Sequence, residues 1–313
     1  MMTRRKPLPF FLEQSAFATS RANEFEVSRG RLRASDLRTP FRGVRSEGLD
    51  FDDVVHRCRA AAVFMDEQDV FSHSTALGLW GVPLPADLDR AEAALHISTH
   101  GTTRRRRKGI VGHRLAKEIA VRLTPDGYRA VAPATSWCQF ASQRDGRTDE
   151  EMLLALVSAA DYLITGRRAQ RVREQATCTS EELHAAAAAY GPGRGARLLA
   201  QALALMKSGV DSPKETELRL LLVKAGLGAP EVGHVIRTRI GPLTPDLTYP
   251  TKRVLLEYEG DLHRNDRRRW RGDFDRVRAF QEAGWTVIRV NSDDLADAAR
   301  RAALTAQLRT LLT

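Results

Sequence analysis

This sequence predicts a mixed α/β protein of several domains. Three features carry that expectation: the length, the alternation of helix-type and strand-type segments, and a C-terminal block ordered as helix, antiparallel strands, crossover helix, strand and helix. The chain has 313 residues, against about 150 for an average domain, so about two domains are expected. Hydrophobic residues make up 42% and charged residues 28%, the balance of an ordinary folded chain and not of a disordered, collagen-like or coiled-coil one.

Composition narrows the functional classes. The three cysteines, Cys58, Cys138 and Cys178, are far apart and form no C-x-x-C pair, so neither a disulfide framework nor a zinc knuckle is indicated and a reducing cytoplasm is the expected compartment. After a basic start, only Leu8 to Leu12 are continuously apolar, too short for a signal-peptide core. The alanine-rich stretch from Ala185 to Met206 is broken by Gly191, Pro192, Gly193 and two arginines, which argues against a membrane span. Lys and Arg outnumber Asp and Glu by 49 to 39, a net +10, as expected of a protein that meets a polyanion. Residues 211–313 hold 18 basic and 15 acidic side chains, so both parts of the chain are basic.

From the N-terminus, Ser28 to Leu37 reads as a short helix capped by Ser28 and ended by Pro40, and Phe41 to Arg45 as a strand. Helix then strand could be the recognition helix and wing of a winged helix-turn-helix, with Arg29, Arg31 and Arg33 on DNA; a solvated arginine face explains the same residues. Helices are expected at Phe51 to Phe64 and Ser74 to Trp80, where Val54, Val55, Cys58 and Ala62 keep helical spacing. Strands at Leu95 to Ser98 and Gly109 to His113 flank the run Arg104, Arg105, Arg106, Arg107 and Lys108. Five cations in a hairpin loop repel one another unless anions are near, so a phosphate contact is weighed against a merely solvated loop. His96, His100 and His113 match no zinc spacing and read as strand or loop histidines. Residues 134–210 look like a helical connector, with a capping box at Thr179 to Glu182 and a break at Gly191 to Gly193.

The last hundred residues carry the chemistry. Ser212, Pro213 and Glu215 open a helix that Gly226 closes. Strands follow at Val232 to Ile240, around Asp246 to Tyr249, and from Arg253 to Glu259, then a helix from Asn265 to Ala283, a strand from Thr286 to Val290 and a helix from Ser292. Alternation puts Glu257 and Glu259 on one face, roughly 6.5–7 Å apart. Asp246 lies across the turn from them, and Glu215 continues the stripe of Leu218 and Leu222 toward the sheet. Four converging carboxylates would suit Mg²⁺ or Mn²⁺, which activates water and offsets charge on a phosphate. Each has a plainer explanation: a capping glutamate, a turn aspartate, or charges that blunt an edge strand.

Residues 212–219, Pro245-Asp246-Leu247, Glu257-Tyr258-Glu259-Gly260 with His263, Asp273 with Arg276, and Gly284 to Val290 together resemble the restriction-endonuclease-like PD-(D/E)xK fold. The nearest group within it is the one similar to very-short-patch-repair endonucleases, over about residues 211–297. The resemblance implies a divalent-metal DNA nuclease, with Asp246 the pivotal ligand, Glu257 or Glu259 completing the metal site, Glu215 the helix acid and His263 a catalytic histidine. Glu259 stands where the superfamily has lysine, which removes the cation expected to orient the attacking water. More loosely, Arg31 to Arg33, Pro40 to Arg45, Ser72 to Gly81 and Leu95 to Ser98 resemble winged-helix antitoxins of abortive-infection type IV toxin-antitoxin systems.

The expected domains are thus 1–50, winged-helix-like; 51–133, an antitoxin-like mixed α/β region; 134–210, the helical connector; and 211–313, restriction-endonuclease-like α/β. The helix after Asn265 offers Arg264, Arg268 and Arg271 as a wall along a DNA groove, against the alternative of a salt-bridge-laced solvated face. Two functions are expected from this: a cytoplasmic metal-dependent DNA endonuclease, or a non-enzymatic regulator or antitoxin with a degenerate nuclease-like domain and a toxin partner. An RNA substrate fits the same chemistry.

Overall fold

The computed structural model describes residues 7–100, 104–143, 145–169, 172–260 and 267–313, with side chains left out at 169 and 267–273. It is mixed α/β and falls into two compact units, one formed by Met1–Asp145 with Ala185–Ala196 and the other by Gly146–His184 with Arg197–Thr313.

In the first unit, β1 (Ala16–Ala18) and β2 (Val44–Ser46) pair antiparallel. Helix α1 (Val54–Ala62), capped by Asp53 onto the Val55 N–H, is followed by β3 (Asp69–Phe71) and α2 (His73–Leu79). Then come β4 (Leu95–His100), β5 (Arg106–Arg107), β6 (Ile110–Leu115), β7 (Val121–Leu123), β8 (Arg129–Val131) and α3 (Pro133–Phe140). The last six strands in spatial order read β5-β6-β4-β3-β8-β7. Cys58, Phe71, Ala76, Leu79, Leu95 and Ile97 fill the core beneath this sheet.

Four expectations for this region need correction. Ser28 to Leu37 is not an α-helix: it holds a single 3-10 turn, Arg31–Arg33, with Ser28 Oγ accepting the Arg31 N–H. The strand that follows it is Val44–Ser46, not Phe41 to Arg45. Arg31 is 8% exposed, because its guanidinium is forked onto both Asp36 oxygens at 2.8 Å, so it is not presented to DNA. The strands around the basic run are not a hairpin either. β4 and β6 pair parallel, with β5 added antiparallel to β6. Gly112 permits this close edge, since a Cβ there would meet the Arg105 carbonyl oxygen at 2.1 Å.

The second unit begins with α4 (Asp149–Thr165), opened by a reciprocal Thr148–Glu151 capping box. A short hairpin, β9 (Arg168–Ala169) and β10 (Val172–Arg173), follows. Helix α5 (Ser180–Tyr190), whose residues from Ala185 on belong to the first unit, and helix α6 (Ala196–Leu205), which belongs to the second from Arg197 on, lie on either side of the Gly191 to Gly193 break. Then come α7 (Pro213–Lys224), the hairpin β11 (Ile236–Thr238) and β12 (Gly241–Leu243), β13 (Leu247–Tyr249), β14 (Val254–Glu259), α8 (Arg267–Glu282), β15 (Thr286–Asn291), α9 (Ser292–Ala296) and α10 (Ala298–Leu312). The sheet runs β13-β14-β15, antiparallel then parallel.

Strand β14 is therefore central, and its side chains alternate between two cores. Val254 and Leu256 pack with Leu218 and Leu222 of α7, Ile288, Val290 and Leu308. Leu255 packs on the other face with Ile236 and Phe280. Beneath α7, Asp161 of α4 and Arg219 form an ion pair at 2.7 Å with side chains only 2% and 3% exposed. Asp161 also accepts the Lys207 N–H and the Thr216 hydroxyl, while Arg219 donates to the Leu205 carbonyl. Burial pushes the Asp161 carboxyl above its ordinary range although Arg219 pulls it down. Among the described residues, no helix is long and apolar enough to cross a membrane.

Candidate functional site

Three of the predicted acids lie near enough to repel one another at one end of the central strand. The β13–β14 ladder pairs Leu247 with Leu256, so the next step outward sets Asp246 opposite Glu257 on the face that α8 covers. Asp246 Oδ2 accepts the Tyr258 N–H at 2.7 Å. Burial, then the negative charges of Glu215 and Glu257, push the Asp246 carboxyl well above its usual range, against the Tyr258 hydrogen bond and Arg276.

Glu215 reaches the group from the first turn of α7 and is 8% exposed. Its capping role is real: Oε1 accepts the Ser212 hydroxyl and Oε2 the Asp211 N–H, both at 2.9 Å, while Ser212 Oγ accepts the Glu215 N–H. Burial chiefly, with Asp211 and Glu257 adding repulsion, pushes its carboxyl up to about 7 despite those hydrogen bonds.

Two cations bound the cluster, and reading along the sequence did not assign either to it. Arg276 of α8 grips both Glu257 oxygens at 2.9 and 3.2 Å and also donates to the Thr244 carbonyl. Arg168 of β9 bonds Asp211 at 2.5 Å, joined there by Arg173 at 2.6 Å. Asp211 first, then Glu215 and Asp246, hold Arg168 in its charged form. Only the closing of the hairpin onto Asp211 brings Arg168 here.

Glu259 does not join the group. Although it shares a face with Glu257, its carboxylate is ion-paired with Arg289 of the neighbouring strand. His263 and Arg264 lie outside the described residues, and of Arg268 and Arg271 the helical backbone alone is described. Of the N-terminal cations, Arg29 and Arg33 are exposed. Within the basic run, Arg105 pairs with Asp66 and Asp69, and Arg107 lies 4.0 Å above the Phe64 ring. Arg104, Arg106 and Lys108 stay exposed.

The donor set bears on which ions fit. Hard carboxylate oxygens suit Mg²⁺ or Mn²⁺. Among the described residues, however, the only trio of metal-capable atoms within 4.8 Å of one another belongs to the first unit: His73, His96 and His113. His96 and His113 stand in strands β4 and β6, as expected, but with His73, which the sequence did not mark as a ligand, they form a cluster that could hold a metal ion. Their contiguity arises from the parallel β4–β6 register, which pairs Ser98 with His113, and from the start of α2, and linear spacing contains neither. Burial depresses all three imidazoles, His73 to about 2 and His96 to about 4. A separate cavity of about 700 Å³ in the second unit, lined by Leu153, Leu198, Leu205, Leu221 and Leu295 among others, includes none of the clustered carboxylates.

Comparison with known proteins finds relatives without assigned activity. The chain is 28% identical over 246 residues to the uncharacterized protein Rv2248 of Mycobacterium tuberculosis strain H37Rv, covering 78% of this chain and 82% of that one. The same figures hold for the uncharacterized protein MT2308 of strain CDC 1551. No protein-family model matches the chain, and no solved structure matches it.

Proposed function

We propose that this protein is a metal-dependent endonuclease that hydrolyses phosphodiester bonds of DNA in the cytoplasm. One observation carries the reading: Glu215 and Asp246, from separate elements and buried near Glu257, are both held above their ordinary carboxyl range, chiefly by burial, with repulsion among the acids adding to it. Burying neighbouring carboxylates costs stability and is the arrangement expected where a bound cation or a reaction uses it. Asp246 and Glu257 would hold Mg²⁺ or Mn²⁺, which when bound lowers the pKa of a water and offsets charge developing on a phosphate. Glu215, poised at about 7, can accept a proton near neutral pH. Arg168 supplies a positive charge beside the acids, the part that lysine plays in the PD-(D/E)xK pattern and that Glu259 cannot. Arg104, Arg106 and Lys108 offer phosphate contacts in the other unit. Incubating supercoiled plasmid with the purified chain and Mg²⁺ or Mn²⁺ tests this: nicking by the wild type and its loss in Asp246→Ala support the site, and unchanged nicking by the variant discards it.

A second reading is favoured by Arg276, whose guanidinium already neutralises Glu257 without a metal. On it, the nuclease-like unit is degenerate and the chain is a DNA-binding regulator or type IV antitoxin with a toxin partner. Sequence-selective footprints that survive chelation, without cleavage, would favour this reading; single-stranded RNA cleavage in the same assay would redirect the substrate.

A further inference from the structure

We infer that His73, His96 and His113 form a site for a borderline transition-metal ion of the Zn²⁺ class, distinct from the carboxylate cluster and carried by the other unit. Candidate ligand atoms on the three side chains lie within 4.8 Å of one another. His96 Nδ1 and His113 Nε2 are 2.9 Å apart, and Zn–N bonds of about 2.0–2.1 Å would set two nitrogens of a tetrahedron about 3.3 Å apart. A small opening of that pair and a tilt of the stacked His73 ring, whose centroid is 3.8 Å from that of His113, would admit an ion. Three imidazoles leave a fourth position for water or an external ligand, as open zinc sites do.

The surroundings are those of ligands. His73 Nδ1 is tied to Ser72 Oγ at 3.0 Å, which leaves Nε2 to bind. Gln143 Oε1 accepts the Ser74 N–H at 2.8 Å, so its amide NH₂ faces His96 Nε2 at 2.9 Å and Asp145 at 3.2 Å. His96 therefore carries its proton on Nδ1 and donates it to His113. An ion at His96 Nδ1 would displace that proton to Nε2, where the Gln143 amide would give up its contact and the nearby Asp145 would serve as acceptor. His73 is held at φ +55°, a conformation that L-residues adopt at a cost, with its N–H on Gln139 Oε1. The charged groups acting on the cluster, Arg104 beside His113 and Asp145 near His96, are of opposite sign.

The test uses the full chain stripped with chelator and reloaded with Co²⁺ as a spectroscopic stand-in for Zn²⁺, alongside Zn²⁺ competition against a colorimetric chelator. One equivalent of Co²⁺ with visible d–d absorption is expected, and binding at least about a hundredfold weaker in His96→Gln and in His113→Gln. His113 is half-buried whereas His96 is buried, so His113→Gln removes less packed surface and is the variant on which the test rests. Absence of the absorption band, or equal affinity in wild type and His113→Gln, would overturn the site. Neither outcome depends on nuclease activity.

Discussion

Asp246 and Tyr258 are joined by a carboxylate-to-backbone hydrogen bond of 2.7 Å that runs from the start of one strand to the outer half of its neighbour. It points the acid along β14, beside Glu257 and not toward solvent. The bond makes Asp246 structural as well as chemical: removing its acceptor leaves the Tyr258 N–H without this partner inside the site. Asp246→Ala is expected to cost about 1–3 kcal/mol in denaturant unfolding, and Asp246→Asn, which keeps an acceptor oxygen, less than half of that. Equal destabilisation by both would contradict the bond's contribution.

Glu215 ties stability to pH. Its folded-state pKa of about 7 stands above the ordinary value of 4.5. Between those two values the folded chain keeps a proton that the unfolded chain has released, so stability falls as pH rises from about 4.5 to about 7 and is level above. Comparing unfolding midpoints of wild type and Glu215→Gln at pH 5 and pH 8 isolates the effect. The wild type is expected to lose more stability than the variant across that interval, and parallel losses would refute it.

The Asp161–Arg219 pair anchors α4 beneath α7. With both side chains nearly inaccessible, truncating one partner strands the other's charge. Asp161→Ala is expected to destabilise by about 3–5 kcal/mol, and the exposed Lys224–Glu150 pair, broken by Glu150→Ala, by less than about 1 kcal/mol. Chemical denaturation of the two variants checks the ordering.

Within the basic run the five cations separate into two roles. Arg105, bonded to Asp66 and Asp69, and Arg107, over Phe64, are engaged with the protein itself, so their alanine variants should lower the melting temperature. Arg106→Ala should leave it unchanged and, if this edge touches DNA, reduce the slope of log affinity against log salt by about 1. A salt series by fluorescence anisotropy distinguishes them.

What the sequence makes legible is what is encoded locally. The Ser212–Glu215 cap, the Thr179–Glu182 cap and the apolar run ending in Glu257 follow from neighbours three or four positions apart, and the structure places them as expected. Arg31 misleads because Asp36 and Glu47 claim it only once the loop closes; its spacing from Arg29 and Arg33 says nothing of that. Glu259 misleads in the same way, since its partner Arg289 is thirty positions away and arrives by parallel pairing. The histidine trio and Arg168 depend wholly on such long-range pairings, and no local pattern announces them.

Calorimetric titration of the full chain with Mg²⁺ at pH 8, above the Glu215 value of about 7 and where the imidazole trio has little affinity for so hard an ion, asks whether Glu215, Asp246 and Glu257 hold a cation. Saturable binding by the wild type, weakened at least about tenfold in Asp246→Asn and in Glu257→Gln, is the predicted result. The same isotherm in wild type and both variants, or no binding at all, would contradict it.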